Sequence, residues 1–250
     1  MSRPDGEPGS LATAAKEAVV SKIRVSGISM SLDGFGAGPG QDLNNPLGRR
    51  GMELHQWFFG TRTFRQATGQ EGGLSGIDES YAARSMEGLG AWIMGRNMFG
   101  PVRGDWREPY WDGWWGEQPP YHTPVFVLTH HPRPPLEMKG GTVFHFVTEG
   151  INAALAKARQ AAGDRDIRIG GGVATIRQYL AAGLIDEIHL VLAPVVLGQG
   201  EALLTGIDLP SLGFGVAECK QTETAMHIIL SRDQNKTGGA VDAVIGRHRG

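Results

Sequence analysis

The densest chemical signal in the sequence is a strand-like run, Ile167 to Ile169, followed by Gly170, Gly171 and Gly172 and then by a helix-forming stretch from Val173. Consecutive glycines strip the turn of Cβ atoms, so a phosphate can approach backbone N–H groups at the positive end of the helix. Thr175 adds a hydroxyl in the first turn. The competing reading is a tight strand-to-helix turn that binds nothing, and the motif alone leaves both open. Two better-known phosphate loops are excluded. A Walker loop needs Lys before Ser or Thr, where this chain has Val173-Ala174-Thr175, and a Rossmann fingerprint needs a third spaced glycine where Thr175 stands.

Other residues have the right types for chemistry. Gly95-Arg96-Asn97 follows the apolar run Ala91 to Met94, and a guanidinium at a strand end forms forked hydrogen bonds to phosphate or is simply a surface arginine. Asp33, in the turn Ser31-Leu32-Asp33-Gly34, either caps that turn or borders a substrate. The aromatic segment Asp105 to Trp115 (Trp106, Tyr110, Trp111, Trp114, Trp115) suits stacking on a flat heterocycle or closing as a lid. Equally, it suits a satellite hydrophobic cluster or a dimer interface. His122, His130, His131 and His145 invite a metal reading, but no carboxylate pairs with them at helical spacing and adjacent strand residues alternate faces, so no metal is expected. Cys219 is the single cysteine, which rules out an internal disulfide and a cysteine-based zinc site.

The elements that must position these residues alternate between strand and helix, which predicts an α/β sheet. Strands are expected at Ile23 to Met30, Ala91 to Met94, Val125 to Thr129, Thr142 to Thr148, Asp166 to Ile169 and Ile185 to Ala193. Helices are expected at Glu53 to Phe59, from Asp78, over Ile151 to Ala162 and over Val173 to Ala182. A last hairpin, Phe214 to Gln221 with Ala225 to Ser231, predicts an antiparallel edge on a mixed sheet. Arg62 to Ile77 reads as a surface excursion, and His130 to Gly141, with its prolines, as a plain connection.

Composition agrees with one large domain. Across 250 residues, Lys+Arg 24 against Asp+Glu 26 gives a net charge of -2, which argues against a general nucleic-acid surface or a membrane-attracted patch and favours a small-molecule ligand. Gly 38 and Pro 14 beside 40% hydrophobic residues indicate many tight turns rather than disorder. The apolar run Leu190 to Leu197 contains Pro194 and falls far short of a membrane span, and Met1 to Ser10 has no signal-like apolar core, so a cytoplasmic setting is expected. The expected organisation is an N-terminal extension at 1–20, one domain at 21–232 and a tail at 233–250.

The order of motifs resembles the dihydrofolate-reductase-like superfamily. A first strand ending in S-x-D-G, a strand ending in G-R-x-x-F (Gly95, Arg96, Phe99), a strand ending at Thr129, and the strand-GGG-helix unit followed by G-L-I-D-E-I-H-L and P-V-V-L-G-Q-G carry the likeness. Within that superfamily the sequence is most similar to the branch of the reductase domain in the bacterial bifunctional riboflavin-biosynthesis deaminase/reductase. The resemblance implies a three-layer α/β fold with a central mixed, mostly parallel sheet, and NADPH across the carboxyl ends of its strands. It implies that Gly170, Gly171, Gly172, Val173, Ala174 and Thr175 face the pyrophosphate, and that Gly95, Arg96 and Asn97 flank the 2′-phosphate. Thr129 and His130 would border the adenine ribose, and Ile28 and Ser29 the nicotinamide. Asp33 and Glu53 are the candidate catalytic carboxylates, and a homodimer is expected, with Ile188 to Leu197 extending a sheet or an interface. The implied activity is hydride transfer to a small heterocyclic or ribityl-linked substrate. The rival readings are an NADP-binding module without turnover and a dihydrofolate reductase proper.

Overall fold

A computed structural model describes residues 21–101, 103–108 and 110–233. The extension and tail expected at 1–20 and 233–250 lie outside these residues, apart from Asp233. The strands are β1 (Ile23–Met30), β2 (Phe35–Ala37), β3 (Leu89–Gly95), β4 (Pro124–Leu128), β5 (Leu136–Glu137), β6 (Val143–Val147), β7 (Asp166–Gly171), β8 (Glu187–Leu192), β9 (Glu201–Ala202), β10 (Phe214–Gln221) and β11 (Met226–Arg232). The helices are α1 (Gln56–Phe59), α2 (Arg62–Ala67), α3 (Ile77–Met86), α4 (Arg96–Phe99), α5 (Ile151–Ala162) and α6 (Val173–Ala181).

Nine strands form one mixed sheet in the order β10-β11-β8-β1-β7-β3-β4-β6-β5. From β8 to β6 the pairing is parallel, and β11, β10 and β5 join antiparallel at the two edges. A parallel sheet covered on both faces needs near-continuous apolar strands, and every residue of β3 is buried. The same logic accounts for the run from Ile188: β8 lies inside the sheet between β1 and β11. Helices α5 and α6 cover one face through Ala154, Leu155 and Ala158 and through Ile176, Tyr179 and Leu180. Close packing there depends on Gly90, because a Cβ at that position would lie 2.6 Å from the Ala162 Cα.

The opposite face carries two smaller cores. One gathers Trp92, Phe99, Val127 and Phe144 beneath Trp106, Trp111 and Trp115, so those tryptophans form a satellite cluster that pins their segment. The other packs Trp57 and Ala82 against Val191. Beside it runs a buried polar chain that no local pattern in the sequence announces. His189 Nε2 lies 3.0 Å from His227 Nδ1, and His227 Nε2 lies 2.8 Å from Asp78 Oδ1. The Tyr81 ring stacks on His227 at 4.3 Å, and its hydroxyl donates to Glu218 at 2.7 Å.

Several local expectations are corrected. The excursion from Arg62 opens with helix α2, capped by Thr61 Oγ1, which accepts from the Phe64 N–H at 3.2 Å. The connection from His130 contains the short edge strand β5. The helix expected over Glu53 to Phe59 is a 3-10 turn, Gly51–His55, running into α1. A small second sheet, β2 with β9, was not expected. Among the described residues no helix is long and apolar enough to cross a membrane.

Candidate active site

A cavity of about 590 Å³ opens at the carboxyl ends of the parallel strands, where ligands of open α/β sheets bind. It runs from Ile28 on β1, past Gly170 and Gly171 on β7 and Gly95 on β3, to Leu128 on β4 and Val147 on β6. Four inter-strand steps make that span roughly 19 Å. Ile28, Gly95, Arg96, Asn97, Thr129, His130, Gly170, Gly171, Gly172, Val173, Ala174 and Thr175 all line it.

Ser29, Asp33 and Glu53 do not line it. Neighbouring strand residues face opposite sides, so with Ile28 toward the cavity Ser29 is fully buried beneath it and accepts a hydrogen bond from Trp57 Nε1 at 2.9 Å. Asp33 turns outward and accepts from the N–H groups of Leu197 at 3.1 Å and Gly198 at 2.7 Å. A hydrogen bond from Ser31, with those two N–H groups, holds its carboxyl below the usual aspartate range. Glu53 is exposed and forms a fork with Arg50 at 2.9 Å, which holds its carboxyl low. Neither carboxylate therefore faces this cavity.

Cavity-lining residues that sequence reasoning passed over include His55, Gln41 and Glu201. Burial pushes the His55 imidazole below its usual value, so the ring is neutral. Its Nδ1 sits 3.3 Å from the Gly51 carbonyl, which fixes Nδ1 as the donor and leaves Nε2 as an acceptor. His55 lies two residues beyond Glu53, on the inner side of the same 3-10 turn, and no motif distinguishes the two positions.

At the turn, Gly95 packs against α6 so closely that a Cβ would run into Thr175 Oγ1. Gly171 has φ 132° and is joined to Gly172 by a cis peptide bond. Gly172 is the N-cap of α6 with no side-chain cap. The first N–H groups of a helix lack intrahelical partners, and here they open toward the cavity. A Cβ on Gly172 would meet nothing within 4 Å.

On the same cavity wall, the Arg96 guanidinium stacks on the Trp106 ring with 3.8 Å to its centroid and reaches Thr129 Oγ1 at 3.5 Å. Its Nε and Nη2 are buried without a partner among the described residues. Burial, then the neighbouring charges of Arg103 and Arg133, push its pKa below the usual arginine value. Buried donors of a charged group are expensive to leave unpaired, so the arrangement calls for an anion. Trp106 is itself held by a hydrogen bond from Nε1 to the His131 carbonyl at 2.9 Å. Trp114 and Trp115 reach the cavity wall. Among the described residues no group of His, Cys, Asp or Glu is arranged to hold a metal ion.

The strand order, with its glycine turn at the carboxyl ends, defines the class as dihydrofolate-reductase-like. Within it the family follows from comparison: the model of the RibD C-terminal domain matches residues 24–228, and the chain belongs to that family of reductase domains. Among solved structures, a protein named for riboflavin biosynthesis from Shewanella sp. PV-4 has 22% identity and a TM-score of 0.51, over 86% of this chain and 99% of that one. That likeness supports the fold. Weaker likenesses are to the diaminohydroxyphosphoribosylaminopyrimidine deaminase/5-amino-6-(5-phosphoribosylamino)uracil reductase of Thermotoga maritima, at 13% identity and TM-score 0.49, over 86% of this chain and 57% of that one. Dihydrofolate reductase of Enterococcus faecalis complexed with NADP(H) has 12% identity and TM-score 0.45, over 86% and 98%. No curated protein sequence matches the chain.

Proposed function

We propose that the chain is an NADPH-dependent reductase acting on a small heterocyclic or ribityl-linked substrate, of the 5-amino-6-(5-phosphoribosylamino)uracil reductase type. The observation that carries this reading is that Arg96, whose Nε and Nη2 are buried without a partner among the described residues, lines one cavity with a bare glycine turn at the start of a helix. Those two features suit the two anionic parts of NADPH. The N–H groups of Val173 and Ala174 would hold the pyrophosphate, and Arg96 the 2′-phosphate, with the Trp106 face keeping the guanidinium in plane. Bound there, the reduced nicotinamide supplies a hydride to an electrophilic carbon of the substrate, whose neighbouring heteroatom takes a proton from solvent. The protein's own contribution is to bind, orient and exclude water, and Ile28, Ala37 and Leu47 give that end of the cavity an apolar wall.

The reading is tested by following NADPH absorbance with 5-amino-6-(5-phosphoribosylamino)uracil as substrate. Oxidation dependent on both reactants is expected, and tight NADPH binding without oxidation would favour a non-catalytic module instead. Arg96→Ala should lower the preference for NADPH over NADH by about tenfold or more, the scale of a charge-assisted pair to phosphate. Equal losses for the two cofactors would remove Arg96 from the 2′-phosphate. The dihydrofolate reductase reading is weaker, since Glu53, its carboxylate, faces Arg50 and solvent. Homodimerisation is checked by light scattering, where a monomer would remove it.

A further inference from the structure

The carboxylates that sequence reasoning selected have a use once their partners are traced. Asp33 accepts from Leu197 and Gly198, while Arg50, braced by Glu53, donates from Nη1 to the Val196 carbonyl at 2.9 Å. The Leu32 N–H adds a bond to the Val195 carbonyl at 2.8 Å. All three grip one segment, 195–198, which leads directly into β9. Gly200 lets that segment press on β2, because a Cβ there would collide with the Ala37 carbonyl. From the other side, Arg177 of α6 donates to the Leu203 carbonyl at 2.9 Å. The residue delivered by this clamp is Glu201, paired with Ala37 and lining the cavity.

Glu201 makes no side-chain hydrogen bond or ion pair among the described residues. It lines the cavity together with Gln41, His55 and the apolar Ile28, Ala37 and Leu47. Of the other charged lining residues, Arg103 also lines a smaller adjoining pocket together with Glu201, Gln41 and Gly200, while Arg96 stands at the β3 strand end. An unpartnered carboxylate and an imidazole with one acceptor nitrogen put two acceptors on the cavity wall.

We propose that Glu201 is the substrate-recognising carboxylate, accepting hydrogen bonds from an amino- or imino-bearing edge of the substrate ring, and that Asp33 is a positioning residue acting through the 195–198 segment. The proposal rests on the reading of the cavity as a reductase site, and the test separates the two. NADP⁺ and then 5,6-diaminouracil are titrated by calorimetry into the wild type, Glu201→Gln, Glu201→Asp, Asp33→Ala and the Asp33→Ala/Glu201→Gln double variant. NADP⁺ affinity should be the same throughout, within about twofold. With NADP⁺ bound, Glu201→Gln should weaken 5,6-diaminouracil by about tenfold or more, the cost of losing a charged acceptor. Glu201→Asp should lie between Glu201→Gln and the wild type. Asp33→Ala should weaken the ring ligand on its own but add little in the Glu201→Gln background, since residues acting through one group are not additive. A merely structural Asp33 would instead lower NADP⁺ affinity and add its full effect in the double variant.

Unchanged 5,6-diaminouracil affinity in Glu201→Gln overturns the assignment, as does a wild type that binds NADP⁺ but not the diaminouracil. A wild type that fails to bind NADP⁺ overturns the reductase reading itself.

Discussion

Gly172→Val is expected to melt with the wild-type protein and to lose about a hundredfold in NADPH affinity, roughly 2.7 kcal/mol. The two halves of that expectation come from different facts. Gly172 has φ -70° and ψ -170°, an extended conformation that a β-branched residue adopts readily, and a Cβ there meets nothing within 4 Å. The substitution therefore costs the fold little. The space it fills is the mouth of α6, between the cavity and the N–H groups of Val173 and Ala174, where the pyrophosphate would lie. Gly171→Val is the contrasting case. At φ 132°, and with Met98 Sδ 3.3 Å from its Cβ position, any side chain there strains the backbone, so that variant should lose thermal stability as well as affinity. Thermal melts and NADPH titrations by tryptophan fluorescence read both quantities. NADPH affinity within about twofold of wild type in Gly172→Val would take the pyrophosphate away from this turn.

That contrast also shows which parts of the molecule the sequence makes legible. The glycine turn, the Gly95-Arg96 turn and Thr129 sit at the carboxyl ends of strands, and a strand end is a local property of a few residues. Once parallel pairing aligns those ends, the cavity follows. Ser29 faces away from the cavity because adjacent residues of β1 point to opposite sides, and the bulge at Gly27, with φ 70°, shifts the register between Val25 and Ile28. Asp33 and Glu53 have the right chemistry, but Asp33 is oriented by Leu197 and Gly198, and Glu53 by Arg50, which is itself anchored on the Val196 carbonyl, so the anchoring groups lie far along the chain. No spacing rule spans that distance. For the same reason β2 and β9 carry no sequence signal: each is too short to show a period, and they pair across a long stretch of chain. Asp78, His189 and His227 likewise come from α3, β8 and β11, so their chain exists only after the sheet and its covering helix have assembled.

Between about pH 7 and pH 5 the fold should lose about 2 to 4 kcal/mol of stability, and its buried histidines, with the His189–His227 chain first among them, should account for it. With both rings neutral, as their lowered values favour, His227 donates to Asp78 and His189 donates to His227, and every bond in the chain is made. Burial above all lowers His189 from the usual 6.5 to about 3, and a second positive ring beside His227 would be repelled. Burial also lowers His227, and Asp78 opposes that shift without reversing it. Folded values below unfolded ones mean that the unfolded chain takes up protons the native chain refuses. Stability is therefore complete above the unfolded value of 6.5 and drains away as the pH falls toward 3. The slope approaches about 1.4 kcal/mol per pH unit for each histidine, large against a total of about 5 to 15 kcal/mol. His55 and His145, also lowered by burial, act in the same direction. Carboxyls held low by their partners, such as Asp33, Glu53 and Glu218, add their loss only below the usual 4.5 of glutamate. The upper part of the window thus reports histidines alone. Urea midpoints across it should fall steadily in the wild type. In His189→Gln, whose amide can still donate to His227, the slope should be shallower by about one proton. A wild-type midpoint that does not move between about pH 7 and pH 5 would mean that the unfolded chain gains no protons over the native one, and the neutral, buried chain would have to be abandoned.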